Sequence, residues 1–340
     1  MKKTGITTTV PIEVLLAAGY QPVDLNNIFI SHPEPEKLLA VAERDGFPLN
    51  CCAWIKGIYG VCLQGGLDSV LCVTSGDCSN TIMLMEVLKL KGIKTMAFAY
   101  PEQPDSRRMS SALKRLAGDL GTTLEAAEGL RDELQPARNA VLELDRLTWQ
   151  EGLVSDWENH ISLVSASDFN QDNRRYLAGT EALIEECRRR QPYRDDMLRL
   201  AYIGVPPVFG RQLYGFLESN KARVVFNEVQ RQFAMPRPGR NLPEQYTNYT
   251  YPYSIHGRLR DIRAEIKRRR IDAVVHYVQA FCHRAIGDII LRRGLNLPVL
   301  TLEGNSDFGL SQQNRTRLEA FLDIVTLKRQ GRRTLVRSPV

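Results

Sequence analysis

An apolar run closed by turn residues, an amphipathic stretch, a glycine and a second apolar run constrain this chain more than any other feature. Leu67 to Val73 has strand length, and Thr74-Ser75-Gly76-Asp77 supplies the turn that ends it. From Asn80 to Lys91, apolar side chains recur at Ile82, Leu84, Met85, Val87, Leu88 and Leu90, close to the helical period. Gly92 is placed to end that helix. Ile93 to Tyr100 then reads as a second strand, stopped by Pro101. Strand, loop, helix, strand is the βαβ unit of a parallel sheet.

Residues 1–105 are therefore expected to form an N-terminal α/β domain. From 106 to 198 the pattern changes to long polar helices, such as Met109 to Leu120 and Tyr176 to Arg190, and reads as a helical insert or cap. Residues 199–326 return to α/β character. The strands expected there are Leu200 to Val205, Ala222 to Val229, Ile271 to Val278 and Pro298 to Leu302. Helices are expected over Phe209 to Ser219, Arg258 to Arg269, Ile286 to Arg293 and Arg315 to Val325, with irregular chain from Met235 to Tyr253. Residues 327–340 read as a basic tail. A length of 340 residues exceeds what one ordinary core accommodates and suits this two-domain α/β class.

The net charge of +6 comes largely from arginine. The runs Arg188-Arg189-Arg190 and Lys267-Arg268-Arg269-Arg270, and Lys328, Arg329, Arg332, Arg333 and Arg337 in the tail, read as solvated helix ends and loose chain. The surplus fits a phosphate-bearing ligand or an acidic partner. No nucleic-acid module is recognisable, and no basic stripe interleaves with aromatics, so nucleic acid is not an expected partner. There is no apolar run long enough to span a bilayer and no apolar signal core, so the chain reads as cytoplasmic and free of membrane.

Seven cysteines in such a chain are core filler, metal ligands or catalysts rather than a disulfide framework. Cys72 and Cys62 fall inside elements and read as core. Cys78 follows the strand 67–73, and Cys282 follows the strand 271–278 in the same relative position of the second half. Ligands of open parallel sheets bind at the carboxyl ends of strands, so these two are expected to face one cleft. Cys51 and Cys52 are adjacent, and neighbours tend to point to different sides, so at least one is a functional candidate. Three separated thiols suit a cluster with one open iron better than a structural zinc, which prefers four ligands in closely spaced pairs. Scattered core cysteines without a metal are the alternative.

The chain resembles the 2-hydroxyglutaryl-CoA dehydratase D-component family, with its benzoyl-CoA reductase-like subunits and double-cubane cluster proteins, over nearly its whole length. The carriers are Pro11 to Pro22, Cys52-Ala53-Trp54-Ile55-Lys56, Gly76-Asp77-Cys78-Ser79-Asn80, Phe281-Cys282, Leu297 to Glu303 and Arg315 to Phe321. The resemblance implies two Rossmann-like parallel-sheet domains with a helical portion. It also implies a 4Fe–4S cluster held by Cys52, Cys78 and Cys282. Cys51 is left open as a spectator, a replacement ligand or a ligand of a larger cluster. The double-cubane branch, with its 8Fe–9S centre, uses a second adjacent cysteine pair; Asp77 and Ser79 flank Cys78 here, which favours the single cubane.

The resemblance further implies an acyl-CoA substrate and a homologous subunit or second copy as partner. It also implies a separate ATPase activator supplying a low-potential electron, and this chain has no G-x-x-x-x-G-K-S/T loop of its own. The implied chemistry is dehydration of a 2-hydroxyacyl-CoA, or reduction of an acyl-CoA, through a ketyl radical. A low-potential reductase of a small substrate without coenzyme A, and a non-catalytic electron relay, are the alternatives. His283 and Glu303 are secondary catalytic candidates. His256 and Arg258 are candidates for a phosphate or a cap, and Lys56 for an anion or solvent.

Overall fold

Every strand pairs in parallel. The computed structural model describes residues 1–337. In it β1 (Lys2–Ile6), β2 (Tyr20–Asp24), β3 (Ser69–Ser75) and β4 (Thr95–Ala99) form one sheet in the order β2-β1-β3-β4. A second sheet, from β5 (Leu198–Ile203), β6 (Ala222–Asn227), β7 (Ala273–Gln279) and β8 (Val299–Gly304), has the order β6-β5-β7-β8. The two halves thus share one topology, and the α/β class expected from the sequence is what the chain adopts. Helices Ser106–Asp119, Leu124–Arg146, Asp156–Ser165 and Asn173–Cys187 lie between the sheets in sequence.

The βαβ pattern forms for the reasons its residues give. β3 buries Ser69 to Val73, as a strand covered on both faces must. Helix Asn80–Leu90 turns Thr81, Leu84 and Leu88 inward and ends at Gly92, whose φ of +77° suits glycine. Cys62 and Cys72 are buried in an apolar core that also holds Val70, Leu200, Tyr202 and Val275, so the two sheets share it.

Four features depart from expectation. β1 and β2 were not legible as strands. β1 is five residues long with two exposed lysines, and β2 contains Pro22. Proline is tolerated there because β2 is an edge strand. The stretch 235–253 contains the helix Leu242–Asn248, capped by Asn241, and its Tyr246, Tyr249 and Tyr253 pack into the core beside the first sheet. The closing helix runs Gln312–Arg337 rather than stopping at 325. Residues 338–340 of the expected tail, and the side chains of Arg332, Arg333 and Arg337, lie outside the described residues.

The fourth departure is Arg269, which is fully buried rather than solvated. It donates to both carboxylate oxygens of Asp145, at 2.9 and 2.5 Å, and to Glu265 at 2.7 Å. It belongs to a set of buried ion pairs that tie helices to one another and, at Arg223, to β6. Arg138 meets Glu13 at 2.6 Å, Arg223 meets Asp156 at 2.8 Å, and Arg258 meets Glu228 at 2.7 Å. Charges out of water persist only when paired in this way.

Candidate functional site

In a sheet of order β2-β1-β3-β4, the chain leaves β1 and β3 toward opposite sides, which opens a crevice at their carboxyl ends. The second sheet opens the same crevice between β5 and β7. A cavity of about 430 Å³ collects the segments that leave these four strands. Thr7, Thr8 and Thr9 follow β1, Asp77 and Cys78 follow β3, Val205 to Gly210 follow β5, and Cys282 to Arg284 follow β7. Helix Ala53–Leu63 adds Cys52, Trp54, Ile55 and Ile58, and helix Asp156–Ser165 adds Trp157, His160, Ile161 and Val164.

The structure thus brings Cys52, Cys78 and Cys282 to one cavity from three separate elements. Burial pushes the Cys52 thiol up to about 12; the neighbouring Cys78 and Cys282 add to this, while backbone N–H groups of Ile55 and Trp54 oppose it. Cys78 is pushed up to about 11 by burial and then by Asp77. Burial also raises Cys282, against the pull of Arg284. Burial keeps all three protonated at neutral pH, as it does the core thiols Cys62 and Cys72, so ligating a metal would release their protons. Among the described residues, no three His, Cys, Asp or Glu side chains stand close enough to hold a single metal ion. The three thiols line one cavity, and soft thiolate donors of this kind are of the type that holds iron–sulfur groups. Cys51 is half-buried beside Lys56 and is not part of the cavity lining.

Two backbone features aim the cysteine loops. Gly76 has φ of +91°, and a β-carbon there would lie 2.8 Å from Pro252 and from Tyr100, so the β3 loop closes only around glycine. Phe281 adopts φ of +61° immediately before Cys282, a conformation disfavoured for a bulky side chain. Arg284 ties the two loops together by donating to the Gly76 carbonyl at 2.8 Å while stacking on Tyr251 at 4.2 Å.

Of the remaining candidates, His283 lines the cavity and is exposed. Glu303 is exposed at the end of β8 and outside the lining. Lys56 is neither solvated nor free for an anion: it is buried and donates to Glu43 at 2.6 Å and to the Leu49 carbonyl at 3.2 Å. Arg258 is consumed by Glu228, and His256 is exposed.

Sequence reasoning missed three acidic groups. Asp24 lines the cavity at the end of β2, with its carboxylate accepting from the backbone and side chain of Asn26. Behind it, Asp168 accepts from the Asp24 backbone at 2.8 Å and is pushed up to about 7 by burial and the Asp24 charge. Asp77 is half-buried, and its loss of solvent raises it against the pull of Arg284. The strand-end position of Asp24 was the available signal, and it was lost with β2 itself.

Two parallel sheets of matched topology, opening their switch points onto one cavity ringed by three cysteines, define an α/β protein with a thiol-lined site between its sheets. The sequence model of the 2-hydroxyglutaryl-CoA dehydratase D-component matches residues 7–325. The chain belongs to that family and is a dehydratase-type enzyme component. A search of the curated proteins finds no match to it. Among the described residues, no helix is long and apolar enough to cross a membrane.

Proposed function

We propose that this chain is the iron–sulfur subunit of an activator-dependent 2-hydroxyacyl-CoA dehydratase, with Cys52, Cys78 and Cys282 holding a 4Fe–4S cluster. The observation that carries the reading is the convergence of these three thiols on one cavity at paired strand ends. When bound, the cluster supplies a one-electron route and a Lewis-acidic iron. Cys52, Cys78 and Cys282 would hold the cluster, and the cavity offers it no fourth cysteine, since Cys51 lies outside the lining. The single cubane is favoured over the double one for the same reason.

The chain's own groups do the rest. Trp54, Ile55 and Ile58 exclude water beside Cys52, which strengthens electrostatic interactions within the cavity. Arg284 fixes the spacing of the Cys78 and Cys282 loops. His283, beside Cys282, has an imidazole placed to take up or return the proton that water elimination moves.

The electron comes from a separate ATPase activator, and a homologous subunit or second copy completes the assembly. Leu49, Met83, Phe281, Ile286 and Ile289 are exposed and flank the three cysteine loops in sequence, as a surface that a partner covers would be. Anaerobic incubation with an ATPase activator, ATP, a low-potential reductant and 2-hydroxyacyl-CoA should yield the 2-enoyl-CoA. Dependence on ATP and loss with Cys282→Ser would support the reading. Product formation unaffected by Cys282→Ser would sink it.

A further inference from the structure

Resting on the acyl-CoA reading, we infer that His160 is a specificity-determining residue, whose Nε2 accepts the hydrogen of the substrate's 2-hydroxyl group. Trp157, His160, Ile161 and Val164 share one face of helix Asp156–Ser165, and that face lines the cavity. His160 is 4% exposed. Burial pushes its imidazole down to about 3, so at neutral pH it carries one proton and one bare nitrogen.

The partners of the ring decide which nitrogen is bare. Nδ1 lies 3.0 Å from the Tyr214 hydroxyl, and that hydroxyl lies 2.5 Å from Asn227 Oδ1. A separation this short belongs to an O–H···O bond rather than an N–H···O one, so Tyr214 donates to Asn227. The Tyr214 oxygen therefore accepts from Nδ1–H, which leaves Nε2 without a proton. Tyr214 and Asn227 are buried and lie outside the lining, so they fix the tautomer from behind the cavity wall. Trp157 stacks on the ring at 5.2 Å and 20°, which holds its plane.

Nε2 has no hydrogen-bond partner among the described residues. It stands beside Gly210, itself in the lining, where a β-carbon would lie 3.8 Å away. The rest of this wall, from the helix face and from Val205 to Arg211, is largely apolar, and Arg211 carries donors only. Among the described residues of that wall, Nε2 is thus the one side-chain acceptor. A buried acceptor left without a donor is costly, so a ligand that brings one is favoured. The thioester carbonyl and the ionised phosphates of the substrate only accept. The 2-hydroxyl donates, and it sits on the carbon next to the thioester, which the thiol-lined cavity must enclose. The 2-enoyl product has lost that hydroxyl, so the same bond favours exchange of product for substrate.

The test compares 2-hydroxyhexanoyl-CoA with 2-fluorohexanoyl-CoA, whose fluorine fills the place of the hydroxyl without a hydrogen to donate. Titration calorimetry on the anaerobically purified protein, without activator or ATP, avoids turnover. His160→Phe should weaken the hydroxy thioester by roughly three- to tenfold and leave the fluoro thioester nearly unchanged. His160→Gln keeps an acceptor near the place of Nε2 and should restore much of the difference. Equal weakening of both thioesters, as for a bond to the coenzyme arm, or weakening of neither overturns the inference and leaves the acyl-CoA reading standing. A wild-type protein that binds neither thioester overturns both. Should His160→Phe not fold, Tyr214→Phe takes its place. It removes the acceptor of Nδ1–H from outside the cavity, so the proton moves to Nε2 and the preference for the hydroxy thioester should narrow. An unchanged preference there overturns the inference.

Discussion

Replacing Arg138 with methionine tests whether buried charge pairing holds the site's β1 segment in place. Arg138, on helix Leu124–Arg146, is 1% exposed, and Glu13, on the short helix after β1, is wholly buried. Glu13 accepts from Arg138 at 2.6 Å, from Gln245 at 2.9 Å and from the Tyr246 hydroxyl at 2.6 Å; that hydroxyl also lies 3.1 Å from the Val10 carbonyl. Burial alone would push the Glu13 carboxyl up, but the Arg138 charge and the Tyr246 hydroxyl hold it below its ordinary range. Its stabilising contribution is therefore present above the unfolded pKa of about 4.5 and lost as pH falls through the lower folded value.

Arg138→Met leaves a carboxylate with neutral donors only. Breaking one side of such a pair costs about 3–5 kcal/mol, read from urea unfolding at pH 7.5. Without the arginine, burial wins and Glu13 titrates upward, so the deficit should grow as pH rises from about 4.5 toward 8. Glu13→Gln combined with Arg138→Met removes both charges and should recover most of the loss. A single variant costing less than about 1 kcal/mol, or a double variant as unstable as the two single ones summed, would refute the reasoning.

Two further outcomes are expected. Asp168, pushed up to about 7, holds a proton in the folded chain that the unfolded chain releases above about 3.8, so this group withdraws stability as pH rises from about 4 to 7. Asp168→Asn should flatten that part of the stability–pH curve, measured by urea midpoints at pH 4.5, 6 and 8. Arg284→Gln cuts the bond to the Gly76 carbonyl and should loosen the Cys78 and Cys282 loops together; iron loss to a chelator would quicken by roughly 10-fold or more, in line with changes to groups that support metal ligands, with little change in global unfolding.

The site was legible where its residues sit at the ends of strongly patterned strands. β3 and β7 each carry a buried apolar run, Val70 to Val73 and Ala273 to Val275, so Cys78 and Cys282 were visible as matched strand-end groups, and the Cys51-Cys52 pair drew notice by its adjacency. The acids behind the cavity were not legible. β2 is an edge strand interrupted by Pro22, which hid Asp24. Asp168 reaches Asp24 across 144 residues, a contact set by tertiary packing alone. The arginine run 267–270 misled for a related reason. Charge in sequence reads as solvent, and only the folded chain shows Asp145 and Glu265 waiting for Arg269.

Iron and acid-labile sulfide, quantified with electron-spin spectra on anaerobically purified protein, test the account most directly when set beside Cys51→Ser, Cys52→Ser, Cys78→Ser and Cys282→Ser. The account predicts about four irons per chain for a cubane, retained in Cys51→Ser and lost in each of the other three. A protein that stays free of iron after reconstitution, or one whose iron survives loss of Cys52, Cys78 or Cys282, would contradict it.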